Sequence, residues 1–227
     1  MADARTERWV AHRAEVRERL IDSAIRTIDQ IGPQVTMQEL ATEAKIQKPT
    51  LYRFFTDKAE LVRGIHERMR GEWRERIVTV PTDPDVTIGD FIRSCIDAYL
   101  QSVHEHPHVH RLMVQMMVCA TGSEVKKDDP SPSIADDMAA MMHTVISALG
   151  GTRTDLELDA HMLMGSVMYG VIWWLDSDMT TEYAHLLDHI DKNLRAMLQA
   201  TAHANRIHVD FDAPMAVILS TLSVAES

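Results

Sequence analysis

TMQELATEAKIQKPTLYRFFTDKAEL, residues 36–61, decides how the chain is read. Thr36 with Glu39 forms a capping box, in which a Thr hydroxyl and a Glu three residues on satisfy each other's backbone amides at a helix start. Met37, Leu40, Ala41 and Ala44 follow at helical spacing, so a short helix opens at Met37. A turn at Lys45-Ile46-Gln47 leads to another helix, where Pro49 is tolerated because first-turn amides have no acceptor within the helix to lose. Leu51, Phe54 and Phe55 give that helix a buried face. Asp57 with Glu60 is a second pair of capping type and opens a longer helix that reaches about Ile77.

Towards the N-terminus, Val16, Leu20, Ile21, Ala24, Ile25, Ile28 and Ile31 form one face of a first helix that stops at Gly32-Pro33. Two short helices joined by a tight turn, the second presenting polar residues opposite an aromatic face, make the pattern of a helix-turn-helix. Lys48, Thr50, Tyr52 and Arg53 point away from the apolar side. Arg and Lys bond a guanine edge or a phosphate, and Tyr and Thr hydroxyls bond phosphate oxygens. Lys58 stands at the next helix start, where unbonded amides and an ammonium together favour a phosphate. Arg5, Arg8 and Arg13 precede the first helix core; arms of this kind enter minor grooves, but Asp3, Glu7 and Glu15 fit a solvated helix extension at least as well.

These residues resemble the DNA-binding signature of TetR-family transcriptional regulators: Thr36 to Ala41, Ala44 to Phe55 and Asp57 to Leu61, within a match over roughly residues 16 to 65. His106-Pro107 leading into Arg111-Leu112-Met113 is similar to a helix junction of the family's regulatory domain. The resemblance implies an all-α protein of about nine to ten helices. It would have an N-terminal three-helix helix-turn-helix domain and a larger C-terminal helical domain for ligand binding and dimerisation. The candidate DNA-contacting residues are Thr36, Gln38, Gln47, Lys48, Pro49, Thr50, Tyr52, Arg53 and Lys58. Two positions depart from the family pattern. Lys45 stands where a turn glycine is usual and Gln47 where a Ser or Thr caps the recognition helix, each at a cost of about 1 kcal/mol.

The 227 residues carry a formal charge of −11, unevenly spread. Residues 1–76 hold 15 Lys/Arg against 13 Asp/Glu, and within them 45–76 hold 9 against 5. Residues 77–227 hold 8 against 21. A basic stripe on an acidic protein is compatible with phosphate contact. The charge changes sign where Pro81-Thr82-Asp83-Pro84-Asp85 breaks the helical pattern, which divides the chain into 1–78, a DNA-binding domain with the start of the linking helix, and 79–227, a regulatory domain. Two cysteines, Cys95 and Cys119, and no basic-then-apolar leader lead us to expect a cytoplasmic protein. The apolar run from Met162 to Leu175 is shorter than the ~18 residues a membrane span needs, so no membrane partner is expected.

Helix starts in the second domain are expected at Thr87 (with Asp90), Pro107, Ser133, Thr154, Thr180 or Thr181, and Asp212, with stops at Gly122, Gly150-Gly151 and Asn205. One short helix reads too few base pairs for useful specificity, so a homodimer is expected. The family resemblance implies that the helices around Leu158 to Leu175 and Thr181 to Gln199 pair with their symmetry mates, Gly165, Ser166 and Gly170 allowing close approach. Fifteen methionines suit an apolar effector cavity, although methionine at helical spacing is also ordinary core. Candidate lining residues are Trp73, Phe91, Cys95, Tyr99, Met113, Met117, Met142, Met164 and Met168. His104, His106, His108 and His110 alternate around Pro107 and would share one side of an extended segment, as a metal site or a metal-dependent hydrolase requires. A helix beginning at Pro107 scatters them, so a polar helix junction is the better reading and neither metal nor cofactor is expected. Partners are therefore double-stranded operator DNA, a largely apolar small molecule and a second copy of the chain. Repression, activation and a regulator without an effector are not separable by sequence.

Overall fold

Local capping signals and helical periodicity set most of the elements. The structure, a computed structural model, describes residues 3–78, 85–120, 134–152 and 155–216, with side chains other than those of 3–7, 74, 76–78 and 117–120. Among them run nine helices: α1 (Asp3–Ile31), α2 (Met37–Glu43), α3 (Lys48–Tyr52), α4 (Lys58–Val78), α5 (Ile88–Glu105), α6 (Pro107–Ala120), α7 (Ile134–Ala148), α8 (Leu156–Asp176) and α9 (Tyr183–Ala204). An isolated bridge joins Thr87 and Pro214. No helix among the described residues is long and apolar enough to cross a membrane.

The chain divides into two compact units, Met1–Glu72 with His104–Lys126 and Trp73–Val103 with Lys127–Ser227. Each unit is made of two separate stretches of the chain. The breaking tract at 81–84 lies outside the described residues, as do Gly122, residues 123–133 and Thr154.

In the first unit α1 ends as expected at Gly32, whose φ of +104° an L side chain rarely adopts. The Thr36–Glu39 capping box is complete: Glu39 N donates to Thr36 Oγ1 at 3.3 Å and Thr36 N to Glu39 Oε2 at 2.7 Å. Leu20, Ile21, Ala24 and Ile28 of α1 pack with Leu40, Leu51, Phe55, Leu61 and Ile65, and Val109 and Leu112 of α6 join the same core. Two details differ from the sequence reading. The third helix stops at Tyr52, because the chain turns at Arg53 and Phe54 to carry Phe55 into the core. Asp57 Oδ1 does accept from Glu60 N at 2.7 Å, but the Glu60 carboxylate reaches back to Thr56, at 2.6 Å from its N and 2.7 Å from its Oγ1.

The second unit is built around Trp174, buried between α8 and α9. Its indole N–H donates to Thr181 O at 2.9 Å and its ring meets Tyr183 edge-on at 6.2 Å. Tyr183 in turn donates to Asp97 Oδ1 at 2.7 Å, tying α9 to α5. Arg195 of α9 also reaches α5, donating to Gly89 O at 2.8 Å while bonding Asp191 Oδ1 on its own helix at 2.9 Å. Thr87 and Asp90 cap α5 as expected. Gly150, with a φ of +77°, ends α7, and Gly151 N donates to Ile146 O at 2.8 Å. The start of α9 falls at Tyr183 rather than Thr180 or Thr181, with Glu182 as a cap that makes no side-chain bond. Asp212 lies in a turn, its N–H donating to Asp210 Oδ1 at 3.0 Å.

Candidate nucleic-acid interface

α3 is only five residues long, too short to hold itself by backbone bonds alone. It is held from beneath: Leu51 is 2% exposed and Phe55, just after the helix, is fully buried. With that side fixed, Gln47, Lys48, Pro49, Tyr52 and Arg53 are exposed and Thr50 is half-buried. Lys48 Nζ lies 5.9 Å from the centre of the Tyr52 ring, so a cation and a phenol are presented together. Gln47 is the N-cap but makes no side-chain cap bond, and Lys45 holds a φ of +55° in the turn, the two local costs expected from the departures at these positions.

The other candidates on this face are more committed. The Thr36 hydroxyl donates to Glu39 Oε2 at 2.7 Å as part of its capping box, and these bonds hold the Glu39 carboxyl below its usual range. Gln38 is exposed on α2. Lys58 is drawn inward, its Nζ donating to Pro33 O at 3.2 Å. Burial lowers its pKa, and the Glu39 charge opposes that.

The sequence reading passed over a row on α1 that reaches the same element. Trp9, Arg13 and Arg17 recur every fourth residue and so share a helix face. The Arg17 guanidinium lies 5.1 Å from the Phe55 ring, and that of Arg13 lies 5.6 Å from Phe54 and 5.7 Å from Trp9. The spacing was the available signal. α1 is helical from Asp3, so this stretch is a helix extension; the Arg5 side chain lies outside the described residues.

Of the candidate effector-lining residues, Trp73, Phe91, Cys95, Tyr99, Met142, Met164 and Met168 belong to the second unit. Trp73 Nε1 donates to Cys95 O at 3.4 Å. Burial pushes the Cys95 thiol up to about 11 and the Tyr99 phenol up to about 12, so both are neutral at ordinary pH. Met142 is in the core of that unit. Met113 is not among this group: it packs against the core of the first unit, because α6 lies there. The Met117 side chain lies outside the described residues.

α8 exposes Leu158, Met162, Tyr169 and Trp173 along one face, with Tyr169 at 74% and Trp173 at 56%. A Cβ built on Gly165, on the same stretch, would meet nothing within 4 Å. Between α8 and α9 a groove of about 390 Å³ is lined by Trp173, Gly170, His185 and His189 among others.

The four alternating histidines do not converge. Pro107 starts α6, His106 Nδ1 sits 2.5 Å from Asp29 Oδ2, His104 is exposed on α5 and His110 is buried. Among the described residues no group of three His, Cys, Asp or Glu side chains is placed to hold a metal ion.

A capped α2, a tight turn and a short α3 with a polar outer side over a buried floor make a helix-turn-helix. The sequence pattern of the bacterial regulatory proteins of the tetR family matches residues 20–65. The chain is 27% identical over 188 residues to an uncharacterized HTH-type transcriptional regulator of Mycobacterium tuberculosis (strain CDC 1551 / Oshkosh), covering 83% of this chain and 79% of that protein. Its fold is similar to a TetR variant from Acinetobacter baumannii AYE in complex with minocycline, with a TM-score of 0.60 and 16% identity over 82% of this chain and 96% of that one. It is also similar to the fatty acid degradation regulator FadR from Bacillus halodurans, with a TM-score of 0.55 and 15% identity over 78% of this chain and 93% of that one.

Proposed function

We propose that this regulator is a cytoplasmic homodimeric repressor whose two α3 helices enter successive major grooves of a near-palindromic operator, and which lets go when a largely apolar small molecule binds the second unit. The observation that carries the DNA reading is the outer side of α3, where Lys48, Tyr52 and Arg53 stand exposed above Leu51 and Phe55. Gln38, Gln47, Pro49 and Thr50 flank it, and Thr36 and Lys58 support it through bonds within the first unit. The exposed apolar row on α8 supports a dimer through α8 and α9, since a face of this kind is stabilised by burial.

Half-sites read by such a dimer lie about 34 to 36 Å apart or at a multiple of that. A few ångströms of displacement at each head therefore removes contacts worth about 1 to 3 kcal/mol apiece. Trp73, Phe91, Cys95, Tyr99, Met142, Met164 and Met168 are the lining we assign to the effector, a mostly apolar set with neutral Cys95 and Tyr99 groups able to hydrogen-bond. Minocycline on one structural relative and fatty acid degradation as the business of another favour a small organic effector. Coupling is reciprocal, so operator DNA should weaken effector binding by the same factor.

Lys48→Ala with Tyr52→Ala tests the reading face. Operator affinity should fall about a hundredfold or more while helical content and dimer mass stay unchanged; an undiminished gel shift would overturn the assignment. Affinity should also drop steeply between low and physiological salt. For the effector, small molecules extracted from the purified protein should dissociate it from its operator on re-addition.

A further inference from the structure

The last carbonyls of a helix have no partner within it, and α3 offers few internal bonds to begin with. Arg53 is its C-cap residue, and Arg13, forty positions earlier on α1, donates from Nη2 to Arg53 O at 3.0 Å. The same guanidinium lies over the Phe54 ring at 5.6 Å and over the Trp9 ring at 5.7 Å. One planar cation thus bonds the end of α3 and lies against the residue that follows it, while Trp9 flanks it from one turn back on α1. Trp9 is 60% exposed, an indole held beside a cation rather than in a core. The opposite end of α3 is poorly secured, with a Gln47 cap that makes no side-chain bond after a Lys45 in left-handed backbone. A short helix loosely held at its start depends on what holds its finish.

The geometry points to Arg13 and Trp9 as positioning residues of the reading head: they fix the C-terminal end of α3, and with it Tyr52 and Arg53, against α1. Both lie on α1 ahead of residues 20–65, the segment that the family's sequence pattern covers. Arg13 is turned back onto protein, which distinguishes it from an arm residue aimed into a groove. The inference rests on the DNA reading above and adds that alignment of α3 has a source outside the helix-turn-helix itself. A brace acts on the ordering of Tyr52 and Arg53, so its loss should reduce discrimination between duplexes more than general attraction to DNA. A phosphate contact would weaken all duplexes alike and lower the salt dependence by about one counterion.

The test uses the full-length chain, an operator selected by the unaltered protein from random duplexes, and a scrambled duplex of equal length. Arg13→Ala should weaken operator binding about tenfold, from loss of a charged hydrogen bond and a ring contact. Scrambled-DNA affinity, salt slope, helical content and dimer mass should stay unchanged. Arg13→Lys keeps the charge but not the planar stack and should restore only part of the loss; Trp9→Ala should cost about threefold. An operator-to-scrambled ratio within about twofold of the original in Arg13→Ala overturns the inference. So does an equal loss on both duplexes with a salt slope smaller by about one, which would make Arg13 a phosphate contact. In both cases the DNA reading stands. If the unaltered protein selects no duplex, the DNA reading fails and takes this inference with it.

Discussion

The helix-turn-helix and the α8 surface both expose large side chains, but of opposite character. α3 exposes Lys48, Tyr52 and Arg53 over the buried Leu51 and Phe55, whereas α8 exposes Leu158, Met162, Tyr169 and Trp173 over the buried Leu163, Val171, Trp174 and Leu175. A polar rim on an apolar floor is satisfied by water until a charged partner arrives, and then trades counterions and hydrogen bonds. An exposed apolar row has no such neutral resting state and is stabilised by covering it. The contrast matches the proposed roles, reversible contact with nucleic acid for the first surface and standing contact with a second copy for the other.

The strongest way to break that comparison is to remove the floor of the first surface. Phe55→Ala should cost about 3 to 5 kcal/mol in chemical denaturation and abolish operator binding, because the polar side of α3 rests on that buried ring. A smaller loss would mean that α3 is held chiefly by other contacts, the Arg13 bond to Arg53 O among them. Next, Tyr169→Asp with Trp173→Asp should raise the dimer dissociation constant about a hundredfold or more by placing charge in the apolar row. Sedimentation at micromolar concentration reads this directly, and an unaltered dimer would assign the face to another partner.

Gains smaller than these sharpen the picture of the first unit. Lys45→Gly relieves a left-handed φ and should stabilise by about 1 kcal/mol. Gln47→Ser supplies the missing cap and should add about 0.5 to 1 kcal/mol, both visible as a raised denaturation midpoint. The smallest effect concerns acid. Glu39, Glu60, Asp90 and Glu157 all have carboxyl pKa values lowered by hydrogen bonds, from Thr36, Thr56, Thr87 and His143 in turn. A carboxylate with a depressed folded pKa contributes stability that is fully present above its ordinary value and lost as pH falls through the folded value. Thermal midpoints should therefore hold down to about pH 4.5, the ordinary glutamate value, and decline below it. Glu39→Gln with Glu60→Gln should flatten the decline if the caps of the first unit are its source.

Much of this was legible in the residues because the interactions are local. The Thr36–Glu39 and Thr87–Asp90 caps span three positions, and Gly32 and Gly150 mark helix ends through their own backbone freedom. Pro107 opens a helix where a proline has least to lose. Near misses came where two neighbouring acceptors compete: Thr56 takes the Glu60 carboxylate that Asp57 was expected to engage. Phe54 and Phe55 continue the apolar face and predict a helix running on to Phe55, whereas the demand to bury Phe55 bends the chain after Tyr52.

The amino-acid order alone indicates the helix starts of the helix-turn-helix, the polar outer side of α3 and the departures at Lys45 and Gln47, since each is read from residues within one or two helical turns. Only the tertiary structure decided that Lys58 turns in to Pro33, that Arg13 reaches Arg53, that His106 meets Asp29 and that Met113 belongs to the first core. The physical reason is range. A cap or a periodic face is fixed by side chains a few residues apart, whereas the partner of a long cation or of a core methionine depends on which helices pack together, and residues 25, 40 or 77 positions apart carry no mutual signature until the chain has folded.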